Sequence, residues 1–327
     1  LHDSPHIKDK SRFRWIGKHI AKTKPAYVVQ IGDFLTLDSC TYYIPDDTFT
    51  ARIEKPTFIK DMQSFDEAME ELPDNLKKVI QHYGAENIAA LLMEPVNGSS
   101  GGAIYPPEGY WVEAQKIVNE NDILLIADEV MTGFGRTGFK FSCEDYKIKP
   151  DIMIAGKGMS SGYAAISGTY STDKIANSIM DAGYLVMFHT FAALPLSCAA
   201  AHSVLKILRR EKLCEKVTPL GERLKQKLIV ALGQHPLVAE IRGKGLLIGI
   251  EIVKDKEKLI SFDEQERITD QIISKGLEEG VLFYPGGTGE YRDIVCLGPP
   301  YIIGDEEIDL IVDTLEKALN QIQVKYS

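Results

Sequence analysis

Two residues of this chain carry the most direct hint of chemistry. Asp128 directly follows the apolar run 123–127, and Lys157 follows the run 152–156 in the same way. If both runs are neighbouring strands, the acid and the amine stand at one edge of one sheet. Such a pair suits pyridoxal phosphate (PLP). The amine forms a Schiff base with the aldehyde, while the carboxylate keeps the pyridine nitrogen protonated so that the ring accepts electrons from a substrate carbanion. Lys157 would then also move the proton between the substrate's α-carbon and the cofactor's C4′ carbon. The spacing alone does not separate this from a plain structural ion pair, or from two residues that merely end their strands.

The elements that must position the pair are legible as alternating patterns. A run at 88–93 reads as a buried strand and is followed by a Gly/Ser/Pro-rich loop through Pro107. Trp111, Ala114, Ile117 and Val118 fall three and four apart, which predicts a helix over 109–121. Strands alternating with helices predict parallel βαβ units, and strands that are apolar throughout predict cover on both faces. Ligands of such sheets gather at the carboxyl ends of the strands, where Asp128 and Lys157 stand. After about Leu205 the texture changes. Amphipathic helices are expected over 211–232, 263–279 and 305–323, with strands over 245–251 and 281–284.

Bulk properties narrow the partners. With 327 residues, 44% hydrophobic and 26% charged, the composition is globular and long enough for two domains. A formal net charge of -10 argues against nucleic acid, whose phosphates are met by clustered Lys and Arg, and favours a small-molecule substrate. Five cysteines without CxxC spacing suit free thiols in a reducing compartment, so the cytoplasm is the expected location. No apolar run approaches the ~18 residues that would span a bilayer, so no membrane is expected as a partner. The chain does not begin with Met, and its natural start is expected upstream of Leu1.

The longer context of the pair is specific. Segment 124–138, which reads LLIADEVMTGFGRTG, followed by 149–158, KPDIMIAGKG, closely resembles the signature of class III aminotransferases. The likeness runs from about Asn75 to the C-terminus. It includes Glu94-Pro95-Val96, Pro106 to Tyr110, His189-Thr190-Phe191 with Pro195-Leu196, Arg242 to Leu246, and Gly298-Pro299-Pro300. The resemblance implies an α/β chain of the PLP-dependent transferase fold type I. A large domain with a mainly parallel sheet, here 75–205, would be joined to a small C-terminal α/β domain, 206–327. It further implies that Asp128 pairs with the pyridine nitrogen, Val130 packs on the ring face and Lys157 holds the cofactor covalently. Glu94 would support the ring's 3′-oxygen, and Thr190 would give a hydroxyl to the phosphate of a neighbouring subunit's cofactor, hence a homodimer. The activity implied is transamination from an amine or amino acid to a keto acid. Read without the resemblance, Val130 fits a core valine as well as a ring contact, Thr190 also fits a helix N-cap, and Gly133, Gly135 and Gly138 fit turn glycines with no ligand.

The match has departures. Ala193 and Leu194 replace the family's Gly-His before Pro195, and Cys296 stands where many members carry an arginine suited to a substrate carboxylate. The Gly/Ser-rich helix start that cups the cofactor phosphate, and the aromatic residue that stacks on the ring, are not found in 1–74. That stretch resembles instead the opening of a calcineurin-like metallophosphoesterase. Leu1-His2 would be the tail of a D-x-H motif, 10–22 a helix, and 28–33 a strand ending in Gly32-Asp33. Two alternatives therefore stand beside the transaminase: an aminotransferase-like scaffold impaired by an incomplete phosphate cup, and a metal-dependent phosphoesterase.

Overall fold

A computed structural model of the chain describes residues 27–31 and 65–326, apart from 185–189, 191 and 288–292. Two sheets organise it. The first contains β1 (Tyr27–Ile31), β2 (Ile88–Met93), β3 (Leu124–Asp128), β4 (Ile152–Ala155) and β5 (Gly168–Ser171), hydrogen-bonded in that order. The pairs from β1 to β4 are parallel, as the βαβ pattern predicts, while β5 runs antiparallel to β4. The expected strand at 28–33 is present as β1, but it lies beside β2 in this same sheet. His2, Asp33 and the expected helix at 10–22 lie outside the described residues.

Helix α1 (Phe65–Tyr83) and helix α2 (Tyr110–Glu120) cover one face of the first sheet. The three-and-four spacing read from the sequence is the buried face of α2: Trp111, Ala114, Ile117 and Val118 are all inside. Along β3, Leu125 and Ala127 point into this core, whereas Leu124, Ile126 and Asp128 are only half-buried on the opposite face. The cover expected on both faces is therefore uneven. Among the described residues, the second face carries a small cluster of Phe134, Ala155, Met159 and Ala201, the last from helix α5 (Pro195–Arg210). That thin side is the one on which Asp128 opens. Between β3 and β4 lies the short α3 (Ser142–Asp145), and β5 leads into α4 (Asp173–Asp181).

The second sheet is antiparallel, in the order β6 (Val238–Lys244), β7 (Leu247–Ile252), β9 (Ile294–Leu297), β8 (Tyr284–Gly286). It packs against α6 (Leu213–Leu232), α7 (Ile268–Glu278) and α8 (Asp305–Tyr326), with Leu224, Leu228, Ile308 and Leu315 wholly buried between them. The strand expected over 245–251 is β7, and β6 forms a hairpin with it. The helix expected over 263–279 is interrupted. Asp263 caps a single 3-10 turn through a capping box, Arg267 takes a left-handed backbone, and α7 then begins.

Two arginines, the buried Arg242 and the half-buried Arg136, cross between the sheets in opposite directions. Arg242 of β6 donates to the carbonyls of Gly102 and Gly101, each at 2.9 Å, and is neutralised by Glu240 and Glu251. Arg136, from the loop after β3, donates to the carbonyls of Leu246 at 3.1 Å and Pro299 at 2.8 Å and lies over the Tyr301 ring. At this seam a Cβ on Gly249 would come within 2.0 Å of the Gly102 carbonyl oxygen, so only glycine permits the approach. The expected boundary at 205/206 falls within α5.

Candidate active site

Asp128 is the last residue of β3 and pairs in register with Ile154 of β4. Lys157 comes three residues further along, where β4 ends. Gly156 is extended and Lys157 turns left-handed at φ 38° to start a 3-10 turn over Lys157–Met159. A positive φ is unfavourable for a residue with a Cβ, so surrounding contacts must hold it there. One of them is Gly158, whose ideal Cβ position lies 3.2 Å from Cβ of Phe134, so the turn after β4 packs against the loop after β3.

Both predicted reactive groups thus reach the same edge. Asp128 Oδ1 accepts the Val130 N–H at 2.9 Å. Partial burial lifts the Asp128 carboxyl above the ordinary carboxylate range, while the Val130 N–H and the positive charge of Lys157 pull it back. Lys157 is exposed, and its Nζ lies 2.5 Å from Sδ of Met131.

Glu94 follows the end of β2 and accepts the N–H of Gly98. A side chain on Gly98 would meet Met131 Cγ at 2.9 Å and Glu94 Oε2 at 3.3 Å, so Glu94, Met131 and Lys157 form a continuous group. Val130 is half-buried beside them. Thr190 is exposed in the turn ahead of α5, and among the described residues no hydrogen bond joins it to this group. Ala193, at the family's glycine position, has φ 52°, which explains why glycine suits that position better.

The ends of the strands also hold residues that the motif reading passed over. Met131 touches the lysine, Glu129 is wholly buried behind Asp128, and Gly98 closes over Glu94. The signal for Glu129 was its place in the Asp128-Glu129-Val130 run. A methionine at an active edge has no distinguishing sequence mark. Cys296 is buried on β9, with Sγ 3.7 Å from the Ser99 carbonyl oxygen. Burial pushes its thiol up to about 11 against the opposing pull of Arg242, so this position offers a neutral group and not a cation.

The edge has the donor set that the ring end of PLP requires. A reachable amine stands beside a carboxylate whose Oδ1 is taken by Val130, leaving Oδ2 for a ring nitrogen. Among the described residues no group of three or more His, Cys, Asp or Glu is placed to hold a metal ion. No described helix is long and apolar enough to cross a membrane.

Comparison with known proteins bears on the same residues. A family model described as "Aminotransferase class-III" matches residues 42–319. The chain is 35% identical over 254 residues to the uncharacterized aminotransferase YodT of Bacillus subtilis, covering 76% of this chain and 57% of that protein. It is 36% identical over 253 residues to a putrescine–pyruvate aminotransferase of Pseudomonas aeruginosa, covering 76% and 53%. Among solved structures, an (S)-enantioselective omega-transaminase from Thermomicrobium roseum superposes with a TM-score of 0.82 at 29% identity, over 96% of this chain and 71% of that one. The chain spans a little over half the length of these curated relatives. The match begins at residue 42, within the stretch read above as phosphoesterase-like, and β1 joins the main sheet. The phosphoesterase resemblance is therefore not supported.

Proposed function

The chain belongs to the class III aminotransferase family, and from that premise we propose that it carries the reactive edge of a PLP-dependent transaminase. The amino group would pass from an amine or an ω- or α-amino acid to a keto acid such as pyruvate. The observation that carries this reading is the convergence of Lys157 and Asp128 at the ends of two adjacent parallel strands, close enough for the ammonium to pull on the carboxyl. The structural neighbours support the fold type I assignment. The impaired scaffold draws no support from relatives that carry transaminase names.

PLP, when bound, supplies an electrophilic aldehyde and a ring that accepts electrons. Lys157 would hold the group through Nζ and, as a free amine, would be the base that moves the donor's α-proton. Its exposure leaves room for that exchange, and the Met131 thioether is a weak acceptor that does not hold the amine as a carboxylate would. Asp128 Oδ2 would accept the proton of the ring nitrogen, while the Val130 N–H on Oδ1 fixes the carboxyl's rotation. Val130 would pack on the ring face, and Glu94, fixed by Gly98, would support the 3′-oxygen side.

A second copy of the chain would complete the site, with Thr190 serving the neighbour's phosphate in a homodimer. Exposed Tyr163, Tyr170, Met180, Leu194 and Leu196 lie in the same part of the chain and supply apolar surface for it. The neutral Cys296 removes one means of selecting a substrate carboxylate, which favours amine donors. The cytoplasm suits the unpaired Cys143, Cys198, Cys214 and Cys296.

The test is reduction of the PLP-loaded protein with borohydride, followed by peptide mapping. A pyridoxyl group on Lys157 is expected. Its absence there after incubation with excess PLP would refute the reading.

A further inference from the structure

We infer that Glu129 is a positioning residue, a buried clamp that sets where Asp128, Val130, Met131 and Lys157 stand; the inference rests on the reading above. Its side chain is wholly removed from solvent, at 0% exposure, and so is Thr132 beside it. A carboxylate without water is costly unless donors occupy it. Oε1 accepts the Cys143 N–H at 2.7 Å, and Oε2 accepts the Thr132 hydroxyl. The Cys143 thiol, kept protonated first by burial and then by the Glu129 charge, adds a weak donor.

The backbone of the same residue makes two further ties. Its N–H donates to the Ile154 carbonyl at 2.8 Å, which locks β3 to the end of β4. Its carbonyl accepts the Gly133 N–H at 2.9 Å, which closes the turn after β3. Glu129 thereby joins three pieces: the strand that delivers Lys157, the turn 130–133, and the start of α3. From that turn Val130 reaches Asp128 and Met131 reaches Lys157, while the Gly133 carbonyl and Phe134 rest on Gly158. Glu129 faces the core and not the open face, so it touches neither substrate nor cofactor. Loss of its span would let the turn move relative to β4, and a misplacement of about 1 Å at a reacting group can lower the rate ~100-fold.

Three variants separate this role from general stabilisation. Glu129→Gln keeps the span: its carbonyl oxygen accepts from Cys143 and its amide donates to the Thr132 oxygen. Glu129→Asp keeps the charge but is one methylene too short to reach both partners. Thr132→Val removes one partner at nearly constant size. With the PLP-loaded protein, the readouts are kcat and KM for the amino donor and the rate of borohydride-trappable pyridoxyl formation on Lys157. Glu129→Asp and Thr132→Val are expected to lower kcat by about 10- to 100-fold with KM within about twofold, and to slow trapping. Glu129→Gln is expected to stay within about threefold of the parent. Should Glu129→Asp not fold, Thr132→Val and Glu129→Gln decide. Unchanged kcat and trapping in Thr132→Val, or a loss in Glu129→Gln equal to that of the shortened variant, would overturn the inference. A parental protein that forms no adduct would refute the functional reading itself, and this inference with it.

Discussion

The small C-terminal sheet and the far edge of the large sheet are packed on opposite terms. In the first, β9 is buried along its whole length, and Leu224, Leu228, Leu232, Ile308, Leu315 and Leu319 are fully enclosed. In the second, β5 has no buried residue, α4 has none, and Tyr163 and Leu196 are 83% and 77% exposed. Lys157 stands beside this sparse region. The contrast separates two tasks. Apolar enclosure around the small sheet supplies stability, whereas the proposed reactive edge leaves a face open and is held locally by hydrogen bonds around Glu129.

The contrast can be broken by showing that chemistry and stability do not divide in this way. Lys157→Ala carries the largest expected effect. Transamination should fall by about 10,000-fold or more, and the trapped adduct should vanish, because the substitution removes the proposed nucleophile. Its unfolding free energy should stay within about 0.5 kcal/mol, as expected for an exposed side chain. Steady-state kinetics beside urea titration checks both halves. Asp128→Asn comes next, with an expected loss of about 1,000-fold in kcat, since an amide does not stabilise a protonated ring nitrogen as a carboxylate does.

Leu228→Ala should do the reverse. It should cost about 3 kcal/mol in urea unfolding, from lost burial plus a cavity, with kcat little changed in the protein that remains folded. Leu196→Ser should have the smallest effect on the protomer, under about 0.5 kcal/mol. It should nevertheless shift sedimentation toward monomer, and an unchanged dimer fraction would remove Leu196 from the proposed contact.

A pH series sharpens the same comparison. In the cofactor-free protein, burial holds the Asp128 carboxyl above its ordinary 3.8, so the folded state binds that proton more tightly than the unfolded state does. Its contribution is most favourable below 3.8 and is lost as pH rises through the elevated folded value. Subtracting the unfolding curves of Asp128→Asn from those of the parent should show this fall as pH rises above 3.8. A difference of the opposite sign would mean that the Lys157 and Val130 contacts outweigh burial.

Much of the large domain was legible because its elements declare themselves locally. The apolar runs became β2, β3 and β4, the three-and-four spacing became the buried face of α2, Asp128 ends β3, and Lys157 stands two residues past the end of β4. Elements defined by long-range pairing were harder. The stretch at 168–171 has no apolar run, and its strand exists because β4 offers an antiparallel edge. Helix 263–279 looked continuous, but the capping box at Asp263 and the left-handed Arg267 divide it. The strand expected over 281–284 is formed only from Tyr284 onward, while Phe283 is drawn into the core.

By itself, the order of residues determined the family and the strands that lead to Asp128 and Lys157, because these depend on local periodicity and on side-chain chemistry. Only the tertiary structure decided what surrounds them. The Met131 sulfur on Lys157, the two crossing arginines and the clamp at Glu129 all join residues brought together by folding. A buried polar group takes whichever donor or acceptor packing places beside it, and no local pattern encodes that choice.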